Sequence, residues 1–388
     1  MAILGAGMAV TVALAGCGSE SGSADGGSSD GTAAGTESAA LPAELQADLQ
    51  TVLDEARVEW GFPGAQVGVW TPAGAWIGTT GTAAMDDDRP ITRDDHTRIG
   101  SITKTLTVTA MLQLIEQGKL SFEDTIGEYV PGMPNGDSAT LRNLADMTSG
   151  IPPYTTEAAC TTRYFDAPTE PWLPQELVDC VKDAEPVFPA GTQMQYSNSN
   201  LVLLGMVIEQ VTGQSMEEVL RAGILDPLGM AQTSSPGQDA DIPQPHLSGV
   251  TTQGNPDDAV KDATTWTPTF AFTAGDMIST LEDLHTWGVA LATGEGILTP
   301  EMQKVRLDSL DTDVPPNAPD RSYGIGITRT DGWIGHTGEI PGFNTVLEHN
   351  PELDTTVVVM VNSDIGVDNV GPASLIYQQI VPILTGES

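Results

Sequence analysis

The chain has 388 residues, enough for two domains and a large apolar core. It carries 53 acidic residues against 15 basic ones, a formal net charge of -38. That balance excludes a nucleic-acid-binding surface as the default interpretation, because such a surface needs a basic patch. It indicates a solvated acidic surface and favours solubility, but it carries no information about the fold.

The first 17 residues predict a targeting segment. Residues 2–15 are a short run of small apolar residues, too short to span a bilayer. The run ends in Leu14-Ala15-Gly16-Cys17, which resembles a bacterial lipoprotein signal. This resemblance implies an exported protein whose Cys17 is lipidated. A plain secretory signal is the alternative, because no Lys or Arg precedes the apolar run.

Residues 18–40 contain mainly Gly, Ser, Ala, Thr and acidic residues, and this composition predicts a disordered tether. The folded part is expected to begin at Leu41. Apolar residues then recur every three to four positions, which predicts an amphipathic helix over residues 41–60, ended by Gly61 and Pro63. Residues 66–70 and 76–80 read as two strands around a Pro-Ala-Gly turn.

The stretch Gly100-Ser101-Ile102-Thr103-Lys104 is the first candidate for chemistry. Positions i and i+3 share one face of a helix, so Ser101 and Lys104 point the same way. The rest of this helix is apolar nearly all round, which indicates burial. Burial removes the hydration of Lys104 and lowers its pKa, so the amine becomes a usable base. Taken alone the spacing is weak, and a surface lysine on an ordinary helix would also explain it.

After Gly118 the chain reads mostly as helix and loop, with helices over residues 141–147 and 201–211 and a capping box formed by Ser215 and Glu218. Short runs rich in β-forming residues return late in the chain. They predict strands at residues 323–328, 333–336, 343–349 and 355–362, with a hairpin loop at 350–354 and a closing helix at 372–380.

Strands at both ends and helices between them predict an α+β fold. One antiparallel sheet flanked by helices is expected from residues 41–118 and 281–388, with an inserted all-α domain at about 119–280. The cleft between the two parts is where a site is expected.

Cys160 and Cys180 remain after Cys17 is assigned to the lipid signal. An exported protein with two cysteines in a loop-rich stretch favours a disulfide between them, and two free thiols are the alternative.

Two further motifs follow the Ser101 helix. Tyr196-Ser197-Asn198 stands just before a helix, where Ser or Asn could simply be an N-cap. His336-Thr337-Gly338 stands at the end of a predicted strand, where a lone histidine is usually structural. Each motif alone supports these simpler interpretations, and only their combination indicates a site.

The order Ser-x-x-Lys, Tyr-Ser-Asn, His-Thr-Gly resembles the serine β-lactamase and D-alanyl-D-alanine carboxypeptidase family. The resemblance extends from about residue 67 to 383 and implies a β-lactamase/transpeptidase-like fold. The pattern looks most like the soluble serine D-alanyl-D-alanine carboxypeptidases and the class C β-lactamase group.

The resemblance implies acyl transfer. Ser101 would attack a carbonyl to form an acyl-enzyme, and Lys104 would be the base. Tyr196 would pass the proton to the leaving group, and Asn198 would orient the lysine or the substrate amide. The backbone N–H groups of Ser101 and Glu339 would form the oxyanion hole.

The same resemblance places Thr337 and Gly338 against the substrate, with Thr337 facing its carboxylate and His336 behind it. Arg329 is the candidate arginine for holding that carboxylate. Three features depart from the pattern: His336 stands where β-lactamases of this type have lysine, Met147 stands where many relatives have histidine, and Glu339 adds negative charge.

The function implied is an exported, lipid-anchored or secreted serine hydrolase acting on peptidoglycan stem peptides or another small acyl substrate. The favoured activity is D-alanyl-D-alanine carboxypeptidase. An esterase and a class C-like β-lactamase are alternatives within the same chemistry. A penicillin sensor that hardly turns over and a catalytically silent surface protein are alternatives of another class. No cofactor, metal or nucleic-acid partner is expected, and contact with the membrane is expected only through the lipid anchor.

Overall fold

A computed structural model describes residues 39–255 and 257–386. The strands are β1 (Gly64–Thr71), β2 (Gly74–Ala84), β3 (Asp87–Pro90), β4 (Thr97–Arg98), β5 (Val250–Thr251), β6 (Lys261–Asp262), β7 (Ile278–Ser279), β8 (Arg321–Tyr323), β9 (Thr328–Thr330), β10 (Trp333–Ile340), β11 (Phe343–Asn350) and β12 (Thr355–Val361). Eight of them form one sheet in the order β3-β2-β1-β12-β11-β10-β9-β8. All of its neighbours are antiparallel.

Helices cover both faces of this sheet and build the segment between its two halves. The α-helices are α1 (Ala43–Trp60), α2 (Thr103–Glu116), α3 (Ile126–Tyr129), α4 (Leu141–Ala145), α5 (Ala158–Asp166), α6 (Pro174–Asp179), α7 (Asn198–Thr212), α8 (Met216–Leu220), α9 (Asp226–Leu228), α10 (Leu281–Thr293), α11 (Pro300–Asp308) and α12 (Pro372–Thr385). Helices α1 and α12 pack on one face, and α10 packs on the other.

The centre of the sheet joins the two ends of the chain. Strand β12 reads Thr-Thr-Val-Val-Val-Met-Val and is buried along its whole length, so it lies between two apolar layers. It pairs with β1 in a register that sets Val67 opposite Val359. Val359 packs toward α1 and α12, whereas its neighbour Val358 packs toward α2 and α10. The predicted α+β class, an antiparallel sheet with helices, is therefore confirmed.

The structure corrects several predicted elements. Residues 323–328 are not one strand, because a left-handed turn at Gly326 separates β8 from β9. Strand β10 does not end at His336 but continues to Ile340, so the His-Thr-Gly motif lies inside a strand. The inserted segment is not all-α, since β5 pairs with β6 within it. Strands β5, β6, β8 and β9 have only two or three residues each, which is too few to show an alternating pattern in the sequence.

Cys160 and Cys180 form a disulfide between α5 and the end of α6, as predicted. Ala39 and Ala40, assigned to the tether, are already ordered, and Ala39 O accepts a 2.7 Å hydrogen bond from the backbone of Ala75. The predicted signal segment and Cys17 lie outside the described residues. Within the described ranges, no helix combines the length and apolar character needed to cross a bilayer.

Candidate active site

Ser101 lies on a short turn that connects the sheet to α2. The turn is a 3₁₀ helix over Gly100–Ile102, and α2 starts at Thr103. The segment around β7 holds it from one side, because Ile99 N donates to Met277 O at 2.9 Å and Met277 N donates to Thr103 Oγ1 at 3.2 Å. Met277 thus contacts the chain on both sides of Ser101, through the backbone of Ile99 and the side-chain hydroxyl of Thr103.

Two glycines allow β10 to lie directly against this turn. Gly100 has a φ of +50°, and a Cβ atom at this position would stand 2.6 Å from Glu339 N. A Cβ atom at Gly338 would stand 2.0 Å from Ile99 O. Side chains at either position would push the strand away. The close approach sets the backbone of Glu339 beside the backbone of the Ser101 turn, which is the proximity that an oxyanion hole from their N–H groups would need.

Lys104 lies one turn after Ser101 and is fully buried. Its Nζ is 2.8 Å from Ser101 Oγ and 2.6 Å from Ala274 O. Burial lowers the pKa of this amine well below its ordinary value. In the neutral form, an N–H can donate to the Ala274 carbonyl while the lone pair accepts the Ser101 hydroxyl proton.

Tyr196 joins this pair from the loop before α7. About 38% of the residue is exposed, and its phenol lies close enough to Ser101 to interact with the serine hydroxyl. Burial raises the pKa of the phenol, while the bond to Ser101 opposes that rise. The Lys104 Nζ lies 4.9 Å from the centre of the ring. The phenol of Tyr196 is therefore neutral at pH 7.

Met147 supports the Tyr-Ser-Asn loop from below. Its backbone O accepts from Gln195 N at 3.0 Å, and its Sδ lies 3.5 Å from Ser197 N. Asn198 begins α7, and its Nδ2 is 3.3 Å from Thr155 Oγ1 rather than bonded to Lys104. Asn198 is predicted to orient either Lys104 or the amide of the substrate. Because it does not contact Lys104, the second of these roles remains.

His336 is buried behind Thr337, with only 3% of its surface exposed. Burial and the nearby charge of Lys104 lower the pKa of the imidazole to about 4. The ring is therefore neutral at pH 7 and carries no charge for an anionic substrate.

Ser101 lines one cavity and Tyr196 lines a second. The first has a volume of about 350 Å³ and includes Ser101, Asn198 and Glu339 in its lining. Its far wall is aromatic and consists of Tyr154, Tyr164, Phe165 and Phe270. Tyr164 stacks on Phe270 at 4.0 Å between ring centres, which makes this wall a rigid apolar surface.

The carboxylate of Glu339 stands at the edge of this first cavity. Glu339 is an exposed residue of β10, but partial loss of hydration around its carboxyl group and the charge of Asp364 raise its pKa to about 7. Asp364 itself accepts hydrogen bonds from Thr251 and Gln253, and Gln253 also lines the cavity. The side of the site next to the aromatic wall is therefore negative above pH 7.

The second cavity has a volume of about 510 Å³ and is lined by Tyr196, His336, Thr337 and Arg321, among others. Arg329 does not reach it. The Arg329 guanidinium is paired with Asp311 Oδ1 at 2.7 Å and donates to Leu310 O at 3.2 Å. The predicted role of Arg329 in substrate binding is therefore wrong, because the register of β9 turns its side chain toward the end of α11.

The structure thus brings together Ser101, Lys104, Tyr196, Asn198, His336, Thr337, Gly338 and Glu339, and it leaves Arg329 outside. Sequence reasoning missed Ala274 O, the aromatic wall and Arg321. A backbone carbonyl such as Ala274 O leaves no pattern in the sequence. The aromatic wall was missed because its residues come from three separate segments of the chain. Arg321 precedes a predicted strand, and only the pairing of β8 with β9 places it in the cavity.

Two solved structures are similar to this chain over most of its length. The D-stereospecific amidohydrolase from Streptomyces sp. is 30% identical in sequence and superposes with a TM-score of 0.76 over 87% of this chain and 97% of that one. The D-amino acid amidase from Ochrobactrum anthropi SV3 is 25% identical, with a TM-score of 0.76 over 89% of this chain and 99% of that one.

Among curated proteins, the chain is 27% identical over 271 residues to the Bacillus subtilis (strain 168) protein named penicillin-binding protein PbpX. The match covers 68% of this chain but 61% of that protein, so the chain spans about three-fifths of its length. The Beta-lactamase family model matches residues 49–378. Because that match covers most of the chain and includes the Ser101, Tyr196 and His336 motifs, this protein belongs to the beta-lactamase family.

Proposed function

We propose that this chain is a serine hydrolase that cleaves an amide bond at a D-amino acyl group through an acyl-enzyme on Ser101. The observation that carries this proposal is the contact of 2.8 Å between Ser101 Oγ and a fully buried Lys104. A surface lysine would be charged and could not accept the serine proton at neutral pH. Membership of the beta-lactamase family supports a hydrolase.

In the acylation step, Lys104 takes the Ser101 hydroxyl proton as the oxygen bonds to the substrate carbonyl carbon. The N–H groups of Ser101 and Glu339 stabilise the oxyanion, at about 3 kcal/mol for each donor. The tetrahedral intermediate then expels the amine, and Tyr196 delivers a proton to that nitrogen while Lys104 returns its own proton to the phenol. Water repeats the sequence on the ester bond and releases the acid.

The favoured substrate is a peptide that ends in a free D-alanine, as in peptidoglycan stem peptides. The acyl part would occupy the first cavity, next to Asn198, and the leaving residue would occupy the second. Thr337 and Arg321 line that second cavity and are suited to bind a carboxylate. Arg321 takes the role that the sequence assigned to Arg329.

This assignment predicts that a peptide ending in D-Ala-D-Ala is hydrolysed faster than its C-terminal amide. Hydrogen bonds to charged groups contribute about 1.5–3 kcal/mol, so the ratio of kcat/KM should be about tenfold or more. Arg321→Ala should remove most of that ratio. Arg329→Ala, which removes the same charge outside the cavity, is the matched control and should keep it. Equal rates on acid and amide in the unmodified protein, with faster turnover of a neutral ester, would favour an esterase instead.

A D-amino acid amidase is the second candidate, and the position of Glu339 favours it. A carboxylate beside an aromatic wall suits an acyl group that carries a free ammonium and an apolar side chain. The solved structures of the D-stereospecific amidohydrolase and the D-amino acid amidase are similar over nearly their whole length.

This candidate predicts that D-phenylalanine amide is preferred to its N-acetyl form by about tenfold in kcat/KM. The preference should strengthen as pH rises from 6 through about 7, because Glu339 ionises there. It should weaken above about pH 8, where the α-amino group loses its proton. Glu339→Gln should abolish the rise of this preference between pH 6 and about 7. Glu352→Gln, at the exposed β11–β12 turn, should leave that rise unchanged. A preference for the N-acetyl substrate would contradict an amine-binding role.

We further propose that the protein is exported and anchored to the cell membrane by a lipid on Cys17. The signal-like sequence before Cys17 supports this. Radiolabelled palmitate should be incorporated into the wild-type chain in a bacterial host and not into Cys17→Ser. Equal label in both chains, or none in either, would argue against the anchor and favour a plain secretory signal.

A further inference from the structure

Tyr323, at the end of β8, contacts the buried side of His336. The Tyr323 hydroxyl oxygen is 3.3 Å from His336 Nε2, and the two rings meet edge to face with centres 5.7 Å apart. Only 6% of Tyr323 and 3% of His336 are exposed. Both residues also line the second cavity.

The partners of the imidazole decide which nitrogen carries its proton. His336 Nδ1 contacts the backbone carbonyl oxygen of Thr337, which can only accept a hydrogen bond. Nδ1 must therefore hold the proton. In the neutral ring Nε2 then has a lone pair, and the Tyr323 O–H is the donor that reaches it.

The same two rings also contact Tyr196. The ring centres of Tyr196 and His336 are 6.1 Å apart, and those of Tyr196 and Tyr323 are also 6.1 Å apart. The three rings form a closed triangle, with the Tyr196 hydroxyl directed at Ser101. A change in the orientation of His336 would therefore move the proton donor of the proposed reaction.

We propose that Tyr323 is a positioning residue whose hydroxyl locks His336 in the neutral Nδ1–H tautomer and thereby holds Tyr196 beside Ser101. This inference rests on the proposed function, in which Tyr196 delivers the proton to the leaving nitrogen. In relatives with lysine at the position of His336, a charged group stands behind Thr337. Here a neutral ring needs a second contact to fix its orientation, and Tyr323 supplies it.

Loss of the Tyr323 hydroxyl should raise the pKa of His336. Phenylalanine at position 323 leaves the Nε2 lone pair without a protein donor, next to the second cavity from which water can reach it. Protonation then becomes less unfavourable, so the pKa of His336 should rise above about 4, while burial still holds it below the ordinary value of about 6.5. The charged and titratable groups around this ring and its partner are Lys104 from α2, Tyr196 from the loop before α7, Asp146 beside Tyr323, and Arg321 and Glu348 in the second cavity.

The test compares Tyr323→Phe with the unmodified protein by nitrogen NMR of ¹⁵N-labelled histidine. The chain has five histidines, and the His336 signals are assigned by their loss in His336→Gln. In the unmodified protein, His336 should show a protonated Nδ1 and no titration between about pH 5 and 8. In Tyr323→Phe the His336 signals should titrate at a higher pH than in the unmodified protein, and the pH profile of kcat/KM should gain an ionisation at that same pH.

Turnover at the optimum should also fall, by about tenfold to a hundredfold, as is usual when a catalytic group is displaced. KM should change less than kcat, because the substrate cavities keep their shape. Tyr377→Phe, which removes a hydroxyl from the α12 side of the sheet, is the control for a merely structural effect and should leave the His336 signals unchanged.

An Nε2–H tautomer in the unmodified protein would overturn the proposal. So would a His336 that titrates identically with and without the Tyr323 hydroxyl. The NMR measurement needs no turnover, so it remains decisive even if Ser101 proves not to be a nucleophile. Failure of the lock and failure of the proposed reaction are therefore distinguishable.

Discussion

Ser101→Ala should form no covalent adduct with a fluorescent penicillin, and its turnover of any acyl substrate should fall by a factor on the order of 10⁶. The substitution removes only the side-chain hydroxyl group. The turn that carries Ser101 is held by the backbone hydrogen bond between Ile99 and Met277. The fold should therefore persist, with an unchanged far-ultraviolet circular dichroism spectrum. Gel fluorescence after labelling and intact-mass analysis would measure the loss.

Ser138→Ala, in an exposed loop, is the matched control and should label like the unmodified protein. Label that persists on Ser101→Ala would place the nucleophile elsewhere. The rates of labelling and release in the unmodified protein also distinguish the remaining alternative functions. Rapid labelling with almost no release would identify a penicillin sensor, rapid release with cephalosporin hydrolysis a β-lactamase, and a complete lack of label a catalytically silent surface protein.

Lys104→Arg should lose acylation by a factor of about 10²–10⁴, the usual contribution of a general base. Arginine keeps its proton at every accessible pH, so it cannot accept one from Ser101. In the unmodified protein, the acylation rate should rise with pH through the lysine pKa, which burial places well below the ordinary value. The rate should level off once the amine is neutral. Stopped-flow acylation across the pH range would measure both effects.

The free energy of unfolding of Lys104→Met provides a second test that Lys104 is buried in its neutral form. A lysine that is neutral when folded binds fewer protons than in the unfolded chain, so it destabilises the fold below its unfolded pKa of about 10.4. The penalty grows as pH falls from the unfolded pKa to the lowered folded pKa, and it is constant below the folded pKa. Methionine removes it, so this variant should be inactive yet have a higher free energy of unfolding at pH 7. Near-normal acylation by either variant would exclude lysine as the base and leave Tyr196 as the candidate.

Much of the fold could be predicted from local pattern. The helix over residues 41–60 corresponds to α1, and the hairpin around residues 350–354 joins β11 to β12. Amphipathic spacing and long β-branched runs are strong signals because burial of one face or both faces demands them. The short strands β3, β5 and β6 have only two to four residues each, and their pairing depends on neighbours distant in the chain.

The sequence by itself determined the chemical groups and the two parts of the chain that supply the sheet. Ser101 and Lys104 share one helical face wherever that helix packs, and an apolar helix must bury its lysine. The order of the three motifs added the resemblance to the family. None of these inferences requires a contact between distant segments.

Only the tertiary structure decided which charges face the substrate. Arg329 and Arg321 lie on adjacent strands at the edge of the sheet. The register that sets Arg321 opposite Thr330 leaves Arg321 lining the second cavity, whereas Arg329 turns to Asp311. Side chains alternate between faces along a strand, so a one-residue change of register would reverse this choice. Likewise, the neutrality of His336 follows from its burial beside Lys104, which depends on how β10 packs against the Ser101 turn.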